Sequence, residues 1–457
     1  MIARLGEALS KHAERWMPSP FVLALVLTLL TLLLAVFLGQ NVADQEMSGR
    51  LATLAGGWFD GFYGTGGMKF ALQMTIVLIT GHALAKSGPV RTGIAAIARV
   101  AKTPKAAALI VALVACLASL VQWGLGAIVG AFMAREMGRA FAESGRTVHY
   151  PLLGAAGYAG FMVWHGGFSG SAPLKVAEKG HFVADVIGVV SIDQTLLSPL
   201  NITIVATLLV VIPGLFWGLM PEEEEAMTLP DFDDDSTDDQ RAAGSERRAA
   251  PLIYWLEETP LLNVVSGAAI FGYLAFYFFG RGVAGWNLDS INLLFLSAGI
   301  FLYPSPGAYV DAIVEGVKGA AGIILQFPFY FGILGILKAS GLITQIAEFF
   351  INISSATTFP VFAFLSAGIV NFFVPSGGGQ WAVQGQVLME AANGLGVPVR
   401  KAIMAFSYGD AWTNMLQPFW ALPLLGIMDL EARDIIGYTA LVMFVTGPLI
   451  MVMLVLL

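Results

Sequence analysis

The stretch Asn371-Phe372-Phe373-Val374-Pro375-Ser376-Gly377-Gly378-Gly379-Gln380-Trp381 interrupts two apolar helical segments with a proline, three glycines and several polar side chains. Because its flanks are apolar, we expect it to lie at membrane depth. The hydrocarbon core offers no water to exposed backbone groups, so non-helical chain persists there only where protein buries it or where it lines a polar cavity. The stretch is therefore a candidate binding site.

The composition predicts a membrane protein. Of 457 residues, 57% are hydrophobic and only 12% are charged, and the mean hydropathy is +0.75. Apolar runs of about 20 residues, the length that crosses a bilayer core, recur from residues 21–38 to residues 435–457. We therefore expect an all-α polytopic fold whose first run is a retained span, and we read the single Cys116 as a small buried hydrophobe.

One acidic segment accounts for the whole formal net charge of −8. Residues 221–250 hold eleven acids and three bases, and so polar a segment cannot bury a core. We expect residues 221–251 to form a cytoplasmic linker between a first half, 1–220, and a second half, 289–457, joined through a connecting span within 252–288. A regulatory docking site in the linker stays open, and there is no basic patch that would indicate nucleic acid.

Short matches recur in the same order in both halves, as duplicated transporters show. Leu72-Gln73 corresponds to Leu325-Gln326, and Ser87-Gly88 corresponds to Ser340-Gly341 at the same spacing. Spans are expected in equivalent order, about nine in all, at 20–39, 68–86, 150–172, 195–219, 260–279, 289–304, 320–338, 400–425 and 435–457. Two re-entrant helical hairpins are expected at 105–141 and 356–395.

Basic residues determine the expected topology. Arg and Lys flank the segment 105–141 on both sides, and such residues collect on the cytoplasmic side of a membrane, so this hairpin is expected to enter and leave on one side. With a cytoplasmic N-terminus, five crossings separate the starts of the two repeats, which makes them inverted. The opposite orientation of the two repeats is expected only if residues 289–304 cross the membrane fully, because it depends on the number of crossings.

Each half also contains an expected membrane span whose helix is interrupted by polar, glycine and proline residues. Residues 164–173 hold His165, serines, glycines and a proline, and residues 407–418 hold Asp410, two amides, a glycine and a proline. Glycine and proline interrupt the helical ladder and leave half-helix ends whose dipoles face an ion or an anionic group. Two broken midplane spans facing two hairpin tips predict a central polar chamber.

Asp410 gives the sharpest signal, because an acid within a span costs about 2.5–3.5 kcal/mol to insert and is kept for ion, proton or substrate handling or for a structural cap. Oxygens near Ser376, Thr413 and Asn414 suit Na⁺, the glycine amides can face a carboxylate, and His165 can hold a proton or an anion. The candidate substrate- or ion-binding residues are Ser376, Gly377, Gly378, Gly379, Gln380, Asp410, Thr413, Asn414, Gln417, His165, Ser169, Ser171, Gln122, Trp123 and Asn371.

A hydrolytic alternative rests on Gly167-Phe168-Ser169-Gly170, which matches the G-x-S-G pattern of intramembrane serine proteases with His165 four residues before the serine. Such a site needs nucleophile and base within hydrogen-bond reach. A glycine-rich tetrapeptide is unspecific in a chain with 52 glycines. The hydrolase reading also explains neither the duplication nor the loop at Pro375.

Three motifs resemble the bacterial short-chain fatty acid transporter family (the AtoE type). They are Trp16-Met17-Pro18-Ser19-Pro20-Phe21, Val374-Pro375-Ser376-Gly377-Gly378-Gly379-Gln380-Trp381, and Gly409-Asp410-Ala411-Trp412-Thr413-Asn414 followed by Gln417-Pro418-Phe419-Trp420. The resemblance covers nearly the whole chain, and the family is similar in plan to ion-coupled anion transporters with paired hairpins. It implies a small monocarboxylate substrate such as acetoacetate or butyrate.

We therefore expect a secondary transporter, not an enzyme, in the bacterial inner membrane. It would move the carboxylate by alternating access with Na⁺ or H⁺ as the coupling ion and without a cofactor. The alternative in another class is an ion channel or cation exchanger without organic substrate. Besides the lipid bilayer and the carboxylate, the sequence indicates no partner, and it leaves open whether the chain forms a homodimer.

Overall fold

The computed structural model describes residues 20–457 except 178, 180, 182, 222–250, 286–287, 374–376 and 418. Its fold is all-α, with 83% helix, and the described residues contain no β-strand. Most of the expected acidic linker, the loop Val374-Pro375-Ser376 and the motif residues before Pro20 lie outside the described residues.

The first half is a series of helices separated by short connections. They are α1 (Pro20–Leu38), α2 (Met47–Phe62), α3 (Thr65–Lys86), α4 (Gly88–Ala98), α5 (Pro104–Val121), α6 (Trp123–Glu143), α7 (Tyr150–Ala159), α8 (Ser171–Val176), α9 (Ala184–Ile187) and α10 (Pro199–Leu219).

The second half begins after the acidic linker. Its helices are α11 (Pro251–Glu258), α12 (Leu261–Arg281), α13 (Leu288–Leu302), α14 (Pro306–Ser340), α15 (Leu342–Asn352), α16 (Phe359–Phe373), α17 (Gly377–Gly394), α18 (Val399–Thr413), α19 (Leu422–Met428) and α20 (Ala432–Leu456).

Five of the described helices are long and apolar enough to cross a membrane, namely α1, α5, α10, α12 and α20, and the pair α14–α15, bent by 65°, makes a sixth if it is one span. Shorter apolar helices run over residues 71–84, 289–302 and 359–373. Outward-facing apolar side chains, such as Phe279 at 93% exposure, suit contact with lipid. Helix α13, in the region expected to cross at 289–304, has 15 residues and so reaches only about 22 Å.

The helices pack in two groups. Helices α1, α2, α3, α13 and α14 contact one another, and α14 is the centre of this group. The second group contains α5, α6, α7, α10, α16, α17, α18 and α20. The groups meet where α3 packs on α6 and through two linking helices: α4 contacts α3 and α6, and α19 contacts α14 and α6.

Helix breaks in the second group fall where the sequence places polar and glycine residues. Gln122 alone separates α5 from α6. Helix α7 tightens into a 3₁₀ turn over Gly160–Gly166 before α8 begins. Helix α18 ends in a 3₁₀ turn over Asn414–Leu416 before α19. These breaks bring side chains from distant parts of the sequence to one buried region.

Candidate substrate and ion site

A histidine and a carboxylate from the two halves meet in the interior of the second helix group. His165, in the 3₁₀ turn after α7, places Nε2 2.8 Å from Asp410 Oδ1 on α18. The side chains of His165 and Asp410 are 0% and 1% exposed. The two residues that the sequence marked most clearly in each half are therefore direct partners.

The other side of the His165 ring meets the start of α8 and the start of α17. The Ser171 backbone N–H lies 3.3 Å from His165 Nδ1. A Cβ atom added at Gly377 would lie 2.7 Å from His165 Nε2 and 3.2 Å from Ser171 Oγ. Position 377 thus requires glycine, because any side chain there would displace the histidine.

Asn371, at the end of α16, holds the broken end of α18. Its Nδ2 lies 2.8 Å from Asp410 O, 3.0 Å from Thr413 Oγ1 and 2.7 Å from Asn414 Oδ1. Gln417 Nε2 donates to Phe372 O at 2.9 Å. The two segments expected to form the site in the second half, 371–381 and 409–418, are therefore in direct contact.

The oxygens expected to bind Na⁺ already take part in this junction. Thr413 Oγ1 donates to Gly368 O at 2.9 Å and accepts from Asn371. Asn414 Oδ1 also accepts from Asn371. Ser376, the third residue of the expected sodium site, lies outside the described residues. Thr413 and Asn414 thus fasten α16 to α18 in this conformation.

The break between α5 and α6 packs on the segment that follows His165. Gln122 Oε1 accepts from the Leu125 N–H at 2.7 Å and so caps α6. The Trp123 N–H donates to Ser169 Oγ at 2.9 Å. A Cβ at Gly167 would lie 2.2 Å from Leu120 O, so this glycine permits the close approach of the two backbones.

Gln380 and Gly378 differ in their surroundings. Gln380 Nε2 donates to Ala367 O at 2.8 Å and to Gln384 Oε1 at 3.0 Å, which attaches α17 to α16. A Cβ at Gly378 would meet no described atom within 4 Å. Gly378 is exposed and Gly379 is half-buried. The start of α17 is thus the open part of this junction.

Ser169 and His165, the nucleophile and base that the hydrolase alternative needs, are not bonded to each other. Ser169 Oγ accepts from the Trp123 backbone N–H, while both ring nitrogens of His165 face other groups, Asp410 and the Ser171 N–H. A general base must reach the hydroxyl proton directly or through one water. The geometry gives the hydrolase alternative no support.

Several polar atoms at the junction have no hydrogen-bond partner among the described residues although they are buried. They are Asp410 Oδ2, Asn371 Oδ1, Gln417 Oε1, Asn414 Nδ2 and Trp164 Nε1. Most buried polar atoms in proteins are hydrogen-bonded, and each exception needs an explanation. A concentration of such atoms beside the His165–Asp410 pair is the property expected of a site that binds polar or charged ligands.

Aromatic rings adjoin the pair on the α6 side. The ring centroids of Trp164 and His165 are 3.7 Å apart. Trp123 lies 6.3 Å from Trp164 and 4.9 Å from Trp420, and Phe161 lies 5.3 Å from Trp420. An apolar wall therefore borders the polar centre.

Sequence reasoning missed three residues that support this centre. Asn201, near the start of α10, donates through Nδ2 to Gly166 O at 2.9 Å and accepts from the Tyr408 hydroxyl at 2.6 Å. The Tyr158 hydroxyl lies 2.7 Å from Asn414 O and 3.1 Å from Gln417 O. A signal for two of them is present in the sequence, since Tyr158 and Tyr408 lie 250 positions apart, in equivalent places of the two halves. That match indicates duplication, but not that each tyrosine supports a broken helix in the opposite half.

Comparison with known proteins gives the same class of molecule. The sequence model of the family described as "Short chain fatty acid transporter" matches residues 1–457. The chain belongs to the short-chain fatty acid transporter family. Two relatives in this family are each named "Putative short-chain fatty acid transporter": that of Escherichia coli (strain K12) is 38% identical over 453 residues, and that of Haemophilus influenzae (strain ATCC 51907 / DSM 11121 / KW20 / Rd) is 36% identical over 465. Both alignments cover 99% of this chain and 99% of the relative.

Two solved transporter structures align with this family member over most of its length. The YdaH transporter of Alcanivorax borkumensis aligns with a TM-score of 0.45 at 15% identity, over 95% of this chain and 98% of its own. MtrF of Neisseria gonorrhoeae, described as illuminating a class of antimetabolite efflux pumps, aligns with a TM-score of 0.36 at 14% identity, over 98% and 96% of the two chains.

Proposed function

We propose that this protein is a secondary active transporter that moves short-chain fatty acids or related small monocarboxylates, such as acetoacetate and butyrate, across the bacterial inner membrane. The anion moves with a coupling cation, Na⁺ or H⁺, by alternating access. One observation carries the proposal beyond family membership: His165 and Asp410, from broken helices in opposite halves, are bonded in the buried interior.

The surroundings of the pair suit a small carboxylate. Helices α6 and α17 both begin beside the segment 165–171, at Trp123 and Gly377. The N-terminal end of a helix carries a partial positive charge that favours an anion, although at α6 the N–H groups of Trp123 and Leu125 are already bonded to Ser169 and Gln122. The rings of Trp123, Trp164 and Trp420 offer contact for a short acyl tail.

A coupling cation has a physical reason. Moving one elementary charge against the membrane potential costs about 2.3 kcal/mol per 100 mV, so a negative interior opposes entry of a lone carboxylate. One accompanying cation removes this cost, and a second turns the potential into a driving force. The site therefore needs at least one group that binds a cation together with the substrate.

We infer the following arrangement in the membrane. The α5–α6 pair and the α16–α17 pair are re-entrant hairpins, although α5 alone is long enough to cross a membrane, and the starts of α6 and α17 lie beside the first broken helix. The two repeats have opposite orientation. The N-terminus and the acidic linker lie in the cytoplasm, in keeping with the basic residues near the start of the chain. Ion-coupled carriers of this plan bind their substrates near the midplane at the repeat interface.

Uptake into proteoliposomes tests this function. The purified protein is predicted to give saturable uptake of labelled acetoacetate and counterflow, in which excess internal unlabelled substrate drives transient accumulation of external label. A channel or a cation exchanger without organic substrate would show neither. Protein-free liposomes measure the unaided diffusion of the acid, and absence of counterflow above that level would refute the proposal.

A further inference from the structure

Asp410 carries an oxygen that no described residue satisfies, although it is one of the most buried acids in the chain. Oδ1 accepts from His165, but Oδ2 has no partner within the described part of the protein. An ionised carboxylate in an interior of low dielectric is costly unless it is fully paired. Binding a proton to the free oxygen removes that cost.

The hydrogen-bond network assigns the protonation of the histidine. A backbone N–H can only donate, so His165 Nδ1, which faces the Ser171 N–H, must be the acceptor. In a neutral imidazole the other nitrogen then carries the hydrogen. Nε2–H of a neutral ring therefore donates to Asp410 Oδ1.

The same geometry determines where an additional proton goes. A proton on His165 Nδ1 would turn this acceptor into a donor facing the Ser171 N–H, and the contact between the ring and the start of α8 would break. A proton on Asp410 Oδ2 leaves both contacts of the ring intact. Oδ2 is thus the site that accepts a proton without disturbing the surrounding structure.

The elements packed against this pair carry other charged groups. They are Lys175 on α8, Glu390 on α17, Arg400 and Lys401 on α18, Arg433 and Asp434 on α20, Lys105 on α5, and Arg135, Glu136, Arg139 and Glu143 on α6. The hydroxyl of Tyr408, two residues before Asp410, donates to Asn201. Among the ion pairs of the described residues, Asp410 has only His165 as a partner.

A second histidine–carboxylate pair shows the contrasting arrangement. Between α3 and α14, His82 Nε2 lies 3.2 Å from Glu315 Oε1, and Lys86 pairs with Glu315 Oε2. Both oxygens of Glu315 are therefore bonded to basic side chains, which favours a permanently ionised carboxylate. Glu315 is a structural ion pair, whereas Asp410 keeps one oxygen available.

We propose that the coupling cation is a proton and that Asp410 binds it on Oδ2, with His165 as the positioning residue. The inference rests on the proposed transport function and specifies its coupling ion. The Asp410 side chain takes a proton from water on one side of the membrane. It stays protonated while the site with bound substrate changes the side to which it opens, and then releases the proton to water on the other side. His165 also contacts Ser171 and the start of α17. The gain and loss of charge on Asp410 therefore take place beside the starts of α8 and α17.

Asp410→Asn tests the proton site with little change of shape. Its amide oxygen can still accept from His165 Nε2–H, but the side chain cannot take up a proton. In proteoliposomes, initial uptake of labelled acetoacetate is measured under an inward proton gradient or an inward Na⁺ gradient, each imposed alone, with protein-free liposomes subtracted. In the wild-type protein, the proton gradient is predicted to increase the initial uptake of acetoacetate. In Asp410→Asn this increase is predicted to be at least 10-fold smaller, whereas counterflow, which needs no net proton movement, is retained.

Glu315→Gln is the matched control, since it neutralises the other histidine-paired acid and is predicted to keep the response to the proton gradient. Two results overturn the inference: stimulation of the wild-type protein by Na⁺ alone, or an Asp410→Asn protein that accumulates substrate under a proton gradient as the wild type does. If the wild-type protein shows no counterflow, the proposed function itself fails. If Asp410→Asn loses counterflow as well, proton uptake by the wild-type protein is measured with a pH-sensitive dye. Proton uptake that accompanies substrate transport supports a proton as the coupling ion, and transport without it overturns the inference.

The positioning role of His165 has its own readout. His165→Gln retains an N–H donor for Asp410 Oδ1. His165→Ala removes that donor, so that Oδ1, like Oδ2, has no partner among the described residues. The donor holds the Asp410 side chain in place, so the response of uptake to the proton gradient is predicted to fall in His165→Ala and to return towards the wild-type level in His165→Gln. Equal loss of that response in both variants would show a role in folding only and would overturn the assignment.

Discussion

The substitution Gly377→Ala examines the contact between the start of α17 and the buried pair. The added Cβ would lie 2.7 Å from His165 Nε2 and 2.8 Å from Cε1, whereas ordinary contacts begin near 3.4 Å. The ring must therefore shift by about 0.7 Å, which stretches its 2.8 Å bond to Asp410 to about the limit of a hydrogen bond. Overpacking costs about 1–3 kcal/mol, and a hydrogen bond to a charged group contributes about 1.5–3 kcal/mol.

A loss of about 2 kcal/mol at the site corresponds to roughly a 30-fold lower rate. We predict this reduction in the initial rate of labelled acetoacetate uptake into proteoliposomes, in protein that still elutes as a single species in detergent. Gly394→Ala is the matched control, because it lies at the other end of α17 and its added Cβ would meet no described atom within 4 Å. Uptake by Gly377→Ala within twofold of the Gly394→Ala rate would refute the reasoning.

Three further predictions follow from the same junction. Asn371→Ala should lower the free energy of unfolding by about 2–3 kcal/mol, because three buried acceptors share the two N–H groups that it removes. Thermal unfolding in detergent measures this, and a loss no larger than that of Asn393→Ala, whose side-chain bond is exposed, would contradict it. Tyr158→Phe removes the hydroxyl beside two carbonyls at the broken end of α18 and should cost about 1–2 kcal/mol in the same assay, whereas unchanged stability would show that this bond contributes nothing. Ser169 should remain unlabelled by a fluorophosphonate probe, since both ring nitrogens of His165 have other partners, and stoichiometric labelling would restore the hydrolase alternative.

The helix breaks were predictable because local chemistry causes them. Gln122 and the glycines after it stop α5 and start α6, and the polar residues from Asp410 to Gln417 coincide with the unwound end of α18. An acid within an apolar helix marked Asp410 as a candidate functional residue by its insertion cost alone. Signals of this kind depend on a few neighbouring residues, so a single sequence contains them.

The partners of these residues were not predictable, because they come from distant parts of the chain. Asp410 and His165 were separate candidates, and their bond depends on how α7 and α18 pack. Helix α2 was missed for a related reason: its glycines and charged residues give no apolar run, but its glycine face packs on α14. A Cβ at Gly61 would lie 2.1 Å from Phe331 O, and one at Gly335 would lie 1.9 Å from Gly57 O, a close contact that small residues permit between membrane helices.

Cysteine labelling at position 378 tests most directly whether the junction is the substrate site and opens to each face in turn. The natural Cys116 is buried, so Gly378→Cys in a Cys116→Ser background offers one thiol at an open position beside Gly377. A membrane-impermeant thiosulfonate is applied to right-side-out and to inside-out vesicles. If the junction is the substrate site and opens to each face in turn, we predict that Gly378→Cys is labelled from either face and that butyrate slows the labelling in a concentration-dependent way. Labelling from one face only, at a rate that butyrate does not change, would contradict this mechanism.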